Sequence, residues 1–174
     1  GISWTPDGQQ LLVACTTGHG HRLTFDDLDG YARSEVGTIF CGASHSLECL
    51  SAPHQIHCVN DTYLVIANTG RNAVVKMRLD DFCMSTHRID DVFWDRFDPV
   101  GKQGSHINSV FHQGDTVYMV AHNFQKGTKV YALSWPAIHV KQIWSFVVGG
   151  MHNVACLDER LLVCDSLHGC LVDA

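Results

Sequence analysis

Apolar residues in this chain fall in short runs, many of them alternating with polar residues. Turn residues separate these runs every eight to twelve residues, and no segment shows a convincing helical period. Short runs at this spacing are typical of antiparallel strands joined by tight turns. The pattern therefore predicts an all-β protein.

The clearest strands lie in the middle of the chain. From one run of residues the pattern predicts strands at His54 to Val59, Thr62 to Asn68, Ala73 to Leu79 and His87 to Trp94. The next run predicts strands at His106 to Phe111, Thr116 to His122, Thr128 to Leu133 and Ile138 to Phe146. Weaker strands are expected at Gln10 to Cys15, His21 to Phe25 and Val36 to Cys41, the last as an outer strand.

Three segments look like copies of one another. They read PHQIHCV from Pro53, SHINSVF from Ser105 and MHNVACL from Met151. Each carries a histidine at its second position, and each continues through a turn into another apolar run. These histidines, His54, His106 and His152, are 52 and then 46 residues apart. A period near fifty indicates one supersecondary unit repeated along the chain.

Four strands in ~40–50 residues is the size of a β-propeller blade. We expect one propeller array over residues 1–174, with blades at about 1–52, 53–104, 105–150 and a partial blade at 151–174. A sandwich or barrel is the alternative, but it does not explain a histidine that returns in register. About three and a half blades are fewer than the ~4–8 of stable propellers. This count favours a fragment of a larger chain over a homodimer or a compact four-bladed ring.

The stretch from Pro53 to Leu79, PHQIHCVNDTYLVIANTGRNAVVKMRL, resembles an NHL-type propeller repeat. Its segment Tyr63 to Asn72 follows the hairpin of that superfamily, which also holds the SMP-30 and gluconolactonase-like hydrolases. The segments at Pro53 and Met151 resemble those of peptidyl-hydroxyglycine amidating lyase, an NHL-like propeller with histidine-bound zinc. The resemblance implies His54, His106 and His152 as metal ligands. In that lyase the ligating blades alternate around the ring, whereas here they are consecutive.

Propeller geometry gives the same residues a common destination. The first strand of each blade lines the central channel, so equivalent positions converge at one mouth of it. Three neutral imidazoles there would suit a divalent transition metal, with zinc favoured and iron or copper as alternatives. Asn108, Asn153 and His57 are candidates for orienting them. Structural hydrogen bonding between blades and direct ligand contact without a metal remain alternative roles.

Composition narrows the classes of partner. The chain has 174 residues, a formal charge of −6 and a pI near 6.0, and its twelve Lys and Arg are scattered. These values argue against nucleic acid and against an anionic membrane surface as partners. No apolar stretch reaches the ~18 residues of a membrane span. No leader of basic and then apolar residues precedes Gly1, which favours a cytoplasmic location, and the missing initiator Met indicates a processed or partial chain.

The remaining candidates carry less weight. Cys15, Cys58, Cys156, Cys164 and Cys170 lie in apolar runs and are expected to be buried thiols, while Cys41 and Cys49 could form a disulfide. His122 falls at the end of a strand, and we assign it no role. We expect a metal-centred enzyme, a lyase, hydrolase or oxygenase, that acts on a small molecule or peptide end at the channel mouth. Its acid and base are not identifiable. The alternative is a non-catalytic scaffold that binds a protein or glycan through top loops such as Asp90 to Gly104.

Overall fold

The computed structural model describes residues 1–4, 6–8, 10–13, 15–16, 23–24, 38–39, 50, 53–81, 83–89, 105–123 and 127–174. Over these residues the protein is all-β, with one 3-10 turn at Thr69–Arg71. The strands are β1 (Ile2–Trp4), β2 (Gln10–Val13), β3 (Cys15–Thr16), β4 (Leu23–Thr24), β5 (Thr38–Ile39), β6 (Pro53–Cys58), β7 (Tyr63–Asn68), β8 (Ala73–Arg78), β9 (Met84–Arg88), β10 (Ile107–Gln113), β11 (Thr116–Ala121), β12 (Lys129–Ser134), β13 (Val140–Ser145), β14 (Met151–Leu157), β15 (Arg160–Asp165) and β16 (Cys170–Asp173). The predicted all-β class is confirmed.

The strands form successive sheets in chain order. The second sheet is β6-β7-β8-β9, the third is β10-β11-β12-β13 and the fourth is β14-β15-β16. All three are antiparallel meanders. Short turns support them: Asp158 and Glu159 both have positive φ, as a two-residue hairpin with the right twist requires. The predicted strand order of these three units is therefore confirmed.

The first unit departs from the expected meander. β1 pairs with β2 in antiparallel fashion, but β5 then pairs with β2 in parallel, and β3 and β4 form a separate two-stranded sheet. The parallel β5 takes the edge of β2 that the next strand of a meander would have used. The prediction of an antiparallel outer strand at Val36 to Cys41 is therefore wrong in its pairing.

The first strands of the sheets lie side by side. β1 contacts β6, β6 contacts β10, and β10 contacts β14. The sheets pack face to face behind them, so that Val65 and Val74 of the second sheet share a core with Val110 and Met119 of the third. The outer strand β13 is mostly exposed. The described sheets form an open series, so closure into a propeller stays a prediction.

Buried strands explain why the inner runs are apolar throughout. In β7 the side chains from Leu64 to Asn68 are all buried, because each face of the strand meets a different core. Leu64 and Ile66 pack on one side, and Val65 and Ala67 pack on the other. A strand covered on both faces loses the alternation that marks a half-exposed one.

Several predictions fall outside the described residues. These are the disulfide of Cys41 and Cys49, the side chain of Cys15 and the loop from Asp90 to Gly104. Cys58 is buried as expected, but Cys170 is exposed, since it lies on the outermost strand of the fourth sheet. The described residues include no helix with the length and hydropathy of a membrane span.

Candidate functional site

The first strand of each repeated sheet is irregular at the same end. The ladder shifts register between Pro53 and Ile56 in β6, between Ile107 and Ser109 in β10, and between His152 and Val154 in β14. Each shift marks an extra residue on the first strand. A bulge re-aims nearby side chains, and bulges are common beside binding sites. The repeat seen in the sequence therefore also exists in the backbone.

The strand pairing places Asn108 where the sequence repeat places His106. Counted from the hairpin, the fourth pair is Ile56–Ile66 in the second sheet, Val110–Met119 in the third and Val154–Val163 in the fourth. His54 and His152 lie two residues before that pair, and in the third sheet Asn108 does so. His106 lies two residues earlier still, at a left-handed φ of 52°. The predicted equivalence of His106 is therefore off by two residues.

The three predicted histidines nevertheless lie in one series of ring contacts. The ring centres of His54 and His106 are 5.6 Å apart, although the two residues belong to different sheets. His122 continues the series, at 5.1 Å from His106 and 4.9 Å from His152. We call His54, His106, His122 and His152 the histidine cluster. It spans the second, third and fourth sheets.

Sequence reasoning missed His122. Its backbone N–H donates to the carbonyl of His106 at 3.1 Å, so the two are cross-strand neighbours just beyond the β10–β11 ladder. The bulge at Asn108 creates this pairing, because without the extra residue His122 would pair with Ile107. The only sequence signal was a histidine at a strand end where Asn68 and Asp165 stand in the other sheets.

Burial keeps the centre of the cluster neutral. It lowers the pKa of His106 to about 4, and the nearby His122, His54 and His152 lower it further. Burial also lowers the pKa of His122, with His152 and His54 adding to the effect. A neutral imidazole has one nitrogen with an available lone pair, which is the form that binds metals.

The tautomer of His152 is held by its surroundings. Its Nδ1 lies 2.9 Å from the carbonyl oxygen of Gly150 and 3.1 Å from the hydroxyl of Ser166. A carbonyl accepts only, so Nδ1 carries the proton and Nε2 carries the lone pair. Metal-binding histidines are commonly oriented in this way.

A cavity of ≈ 380 Å³ opens beside two members of the cluster. It is lined by His54, His152, Gln55, Asn108 and Asn153, together with Gly1 and Ile2 of the first strand. Asn108 is buried and donates to the carbonyl of Met151 at 3.1 Å, which joins the third sheet to the fourth. None of these side chains carries a fixed charge. The cavity is therefore suited to uncharged polar groups.

The proposed orienting role of His57 finds no support in its contacts. Its ring lies 4.8 Å from Phe111 and 6.4 Å from His112, in the interface between the second and third sheets. Asn108 and Asn153 do line the cavity, but their hydrogen bonds go to the backbone of Met151 and the hydroxyl of Ser109. Gly150 and Ser166 are the groups that hold a cluster imidazole.

The cluster was tested for its fit to a metal ion. An imidazole bound to zinc at ~2.0–2.1 Å has its ring centre about 3 Å from the ion, so two such rings have centres about 5 Å apart. The contacts of 4.9–5.6 Å match this spacing. Within the described part of the chain, however, no three His, Cys, Asp or Glu side chains are disposed so that they could hold a metal. Donor chemistry and spacing fit, while the ring orientations do not converge.

Comparison with known proteins adds no family. No family model matches the sequence, and no curated protein matches it. The resemblance to NHL propellers and to the amidating lyase therefore remains an expectation.

Proposed function

We propose that the four sheets are blades of a β-propeller and that their first strands surround its channel. The sequential contacts of β1, β6, β10 and β14 support this arrangement. So does the return of a bulge at the same end of β6, β10 and β14. In such an array the bulged ends lie at one mouth of the channel, where the cavity and the histidine cluster are found.

The function that we propose is that of a metal-centred enzyme, with His54, His106 and His152 holding one divalent transition metal. The observation that carries the proposal is the series of ring contacts that joins these three residues across three sheets. Neutral imidazoles at this spacing need only turn about their side-chain torsions to share an ion. Zinc is favoured for a three-histidine set, with iron or copper as alternatives.

The residues around the cluster would divide the work. Gly150 would keep the lone pair of His152 on Nε2, and the low pKa of His106 would keep that ring neutral at physiological pH. Gln55, Asn108 and Asn153 would offer amide donors and acceptors to a small molecule or peptide end. A bound metal would supply an acidified water or a polarised carbonyl. This chemistry suits a lyase, a hydrolase or an oxygenase.

One observation favours a second candidate function. The ring orientations do not converge within the described residues, which is what a non-catalytic scaffold would show. In that case the neutral imidazoles pack against one another between sheets. The cavity would then bind part of a protein or glycan without chemistry.

Metal content separates the two candidates. We expect purified protein to carry close to one zinc, iron or copper ion per chain by mass spectrometry, and chelation to remove it. His54→Ala should lower the occupancy at least tenfold, because it removes one of the three proposed ligands. His139→Ala is the matched control, since His139 is an exposed histidine outside the cluster. A well-folded protein that takes up none of these metals would support the scaffold.

A further inference from the structure

We infer that His122 is the fourth ligand of the centre, so that the donor set is four imidazoles rather than three. This inference rests on the proposed function. In the series of ring contacts His122 lies between His106 and His152, at 5.1 Å and 4.9 Å. Both distances are shorter than the 5.6 Å between His54 and His106. Its ring therefore matches the spacing of a shared ion better than that proposed pair does.

The backbone of His122 is fixed to the strand that carries His152. Its carbonyl accepts a hydrogen bond from the hydroxyl of Thr128 at 3.2 Å. The hydroxyl oxygen of Thr128 in turn accepts from the backbone N–H of Met151 at 3.2 Å. Through Thr128, the third sheet holds His122 beside the beginning of β14. The contact between His122 and His152 is thus built into the packing of the two sheets.

Gly150 leaves room at the nitrogen that would bind. A Cβ at this position would lie 3.5 Å from Nε2 of His122, and Gly150 has a φ of +85°. The same residue supplies the carbonyl that lies 2.9 Å from Nδ1 of His152. One glycine therefore shapes the surroundings of two rings: it keeps side-chain atoms away from His122 and holds the tautomer of His152.

A fourth imidazole changes the chemistry of the centre. Four nitrogen donors fill a tetrahedral ion, whereas an active site needs an open position for water or substrate. An ion that accepts five or six ligands keeps such a position. The inferred set therefore favours iron or copper over zinc, and it disfavours magnesium and calcium, which prefer oxygen ligands. The open position would face the cavity between His54 and His152.

Cobalt(II) titration of the metal-free protein tests the inference, because the visible spectrum of cobalt reports its ligand number. His122→Phe keeps an aromatic ring at the contact and removes only the donor nitrogen. We expect the wild type to bind one cobalt ion. The variant should bind it at least about tenfold more weakly and with a changed visible spectrum. His139→Phe should behave as the wild type does.

The outcomes distinguish the inference from the proposed function. If the wild type binds cobalt and His122→Phe binds it with the same affinity and spectrum, the inference is overturned and the three-histidine centre stands. If neither the wild type nor the control binds cobalt, zinc, iron or copper, both fail. Circular dichroism checks the fold of the variant. Should His122→Phe not fold, His122→Asn replaces it, with the same expected loss.

Discussion

His54 and His57 lie three residues apart on one strand, yet they have different surroundings. His54 is exposed at the cavity, whereas the ring of His57 packs between two sheets against Phe111. Burial is the main reason that the pKa of His57 falls from 6.5 to about 4, and the nearby His112 lowers it further. Histidine is thus used in one strand for a candidate site and for packing. Residue type alone could not separate the two roles.

The lowered pKa of His57 predicts that acid destabilises the protein. The unfolded chain takes up a proton near pH 6.5, while the folded chain resists it down to about pH 4. The stabilisation is therefore present above pH 6.5 and is lost as the pH falls toward 4. Because His57 is partly exposed, we expect a loss of only about 1–2 kcal/mol.

Urea unfolding at pH 7.5 and pH 5 measures this loss. The free energy of unfolding of His57→Gln should fall by about 1 kcal/mol less than that of the wild type. Other buried histidines contribute equally to both proteins, so the difference isolates His57. Exposed His139→Gln serves as the control. Parallel losses in wild type and His57→Gln would show that His57 does not carry the effect.

At the scale of the element, the bulges decide which side chains meet. The repeat in the sequence correctly predicted that His54 and His152 occupy matching positions in their strands. It misplaced His106 and gave His122 no role, because the first strand of the third sheet is two residues longer before its hairpin. An extra residue in a strand leaves little trace in an apolar pattern. The sequence therefore predicted the neighbourhood of the cluster but not its membership.

A glycine shows how tightly the strand ends of the third sheet are joined. Gly127 has a φ of +83°, and a Cβ there would lie 2.3 Å from the carbonyl oxygen of Phe146. Gly114 also has a positive φ, but a Cβ added there would have no other atom within 4 Å. The two glycines therefore separate backbone strain from steric clash.

Gly127→Ala should lower the free energy of unfolding by at least about 2 kcal/mol more than Gly114→Ala does. The control should lose only about 1 kcal/mol, which is the cost of a left-handed alanine. Chemical denaturation of both variants gives the comparison. Equal losses would mean that the approach of Gly127 to Phe146 is not close in solution.

At the scale of the whole molecule, each sheet depends on its neighbours for a core. Val65, Ala67 and Val74 of the second sheet are buried only because the third sheet covers them. Val120 of the third sheet packs in the same way with Met151 and Val154 of the fourth. Short apolar runs at regular spacing were enough to predict sheets stacked in series. The closure of the series depends on contacts between distant segments, which no local pattern encodes.

Met119 tests this shared core. It is fully buried between the second and third sheets. Met119→Ala should lower the free energy of unfolding by about 2–5 kcal/mol, because it leaves a cavity between the sheets. Val147→Ala is the control, since Val147 is 99% exposed. A loss under about 0.5 kcal/mol in Met119→Ala, as is usual for surface positions, would contradict face-to-face packing of these sheets.

The convergence of imidazoles from three sheets on one ion is tested most directly by anomalous diffraction from crystals of the metal-loaded protein. We predict a single strong peak about 2 Å from the ring nitrogens of His54, His106 and His152, beside the cavity. A metal peak bound elsewhere, or histidine rings that stay packed against one another with no peak between them, would contradict the proposed centre.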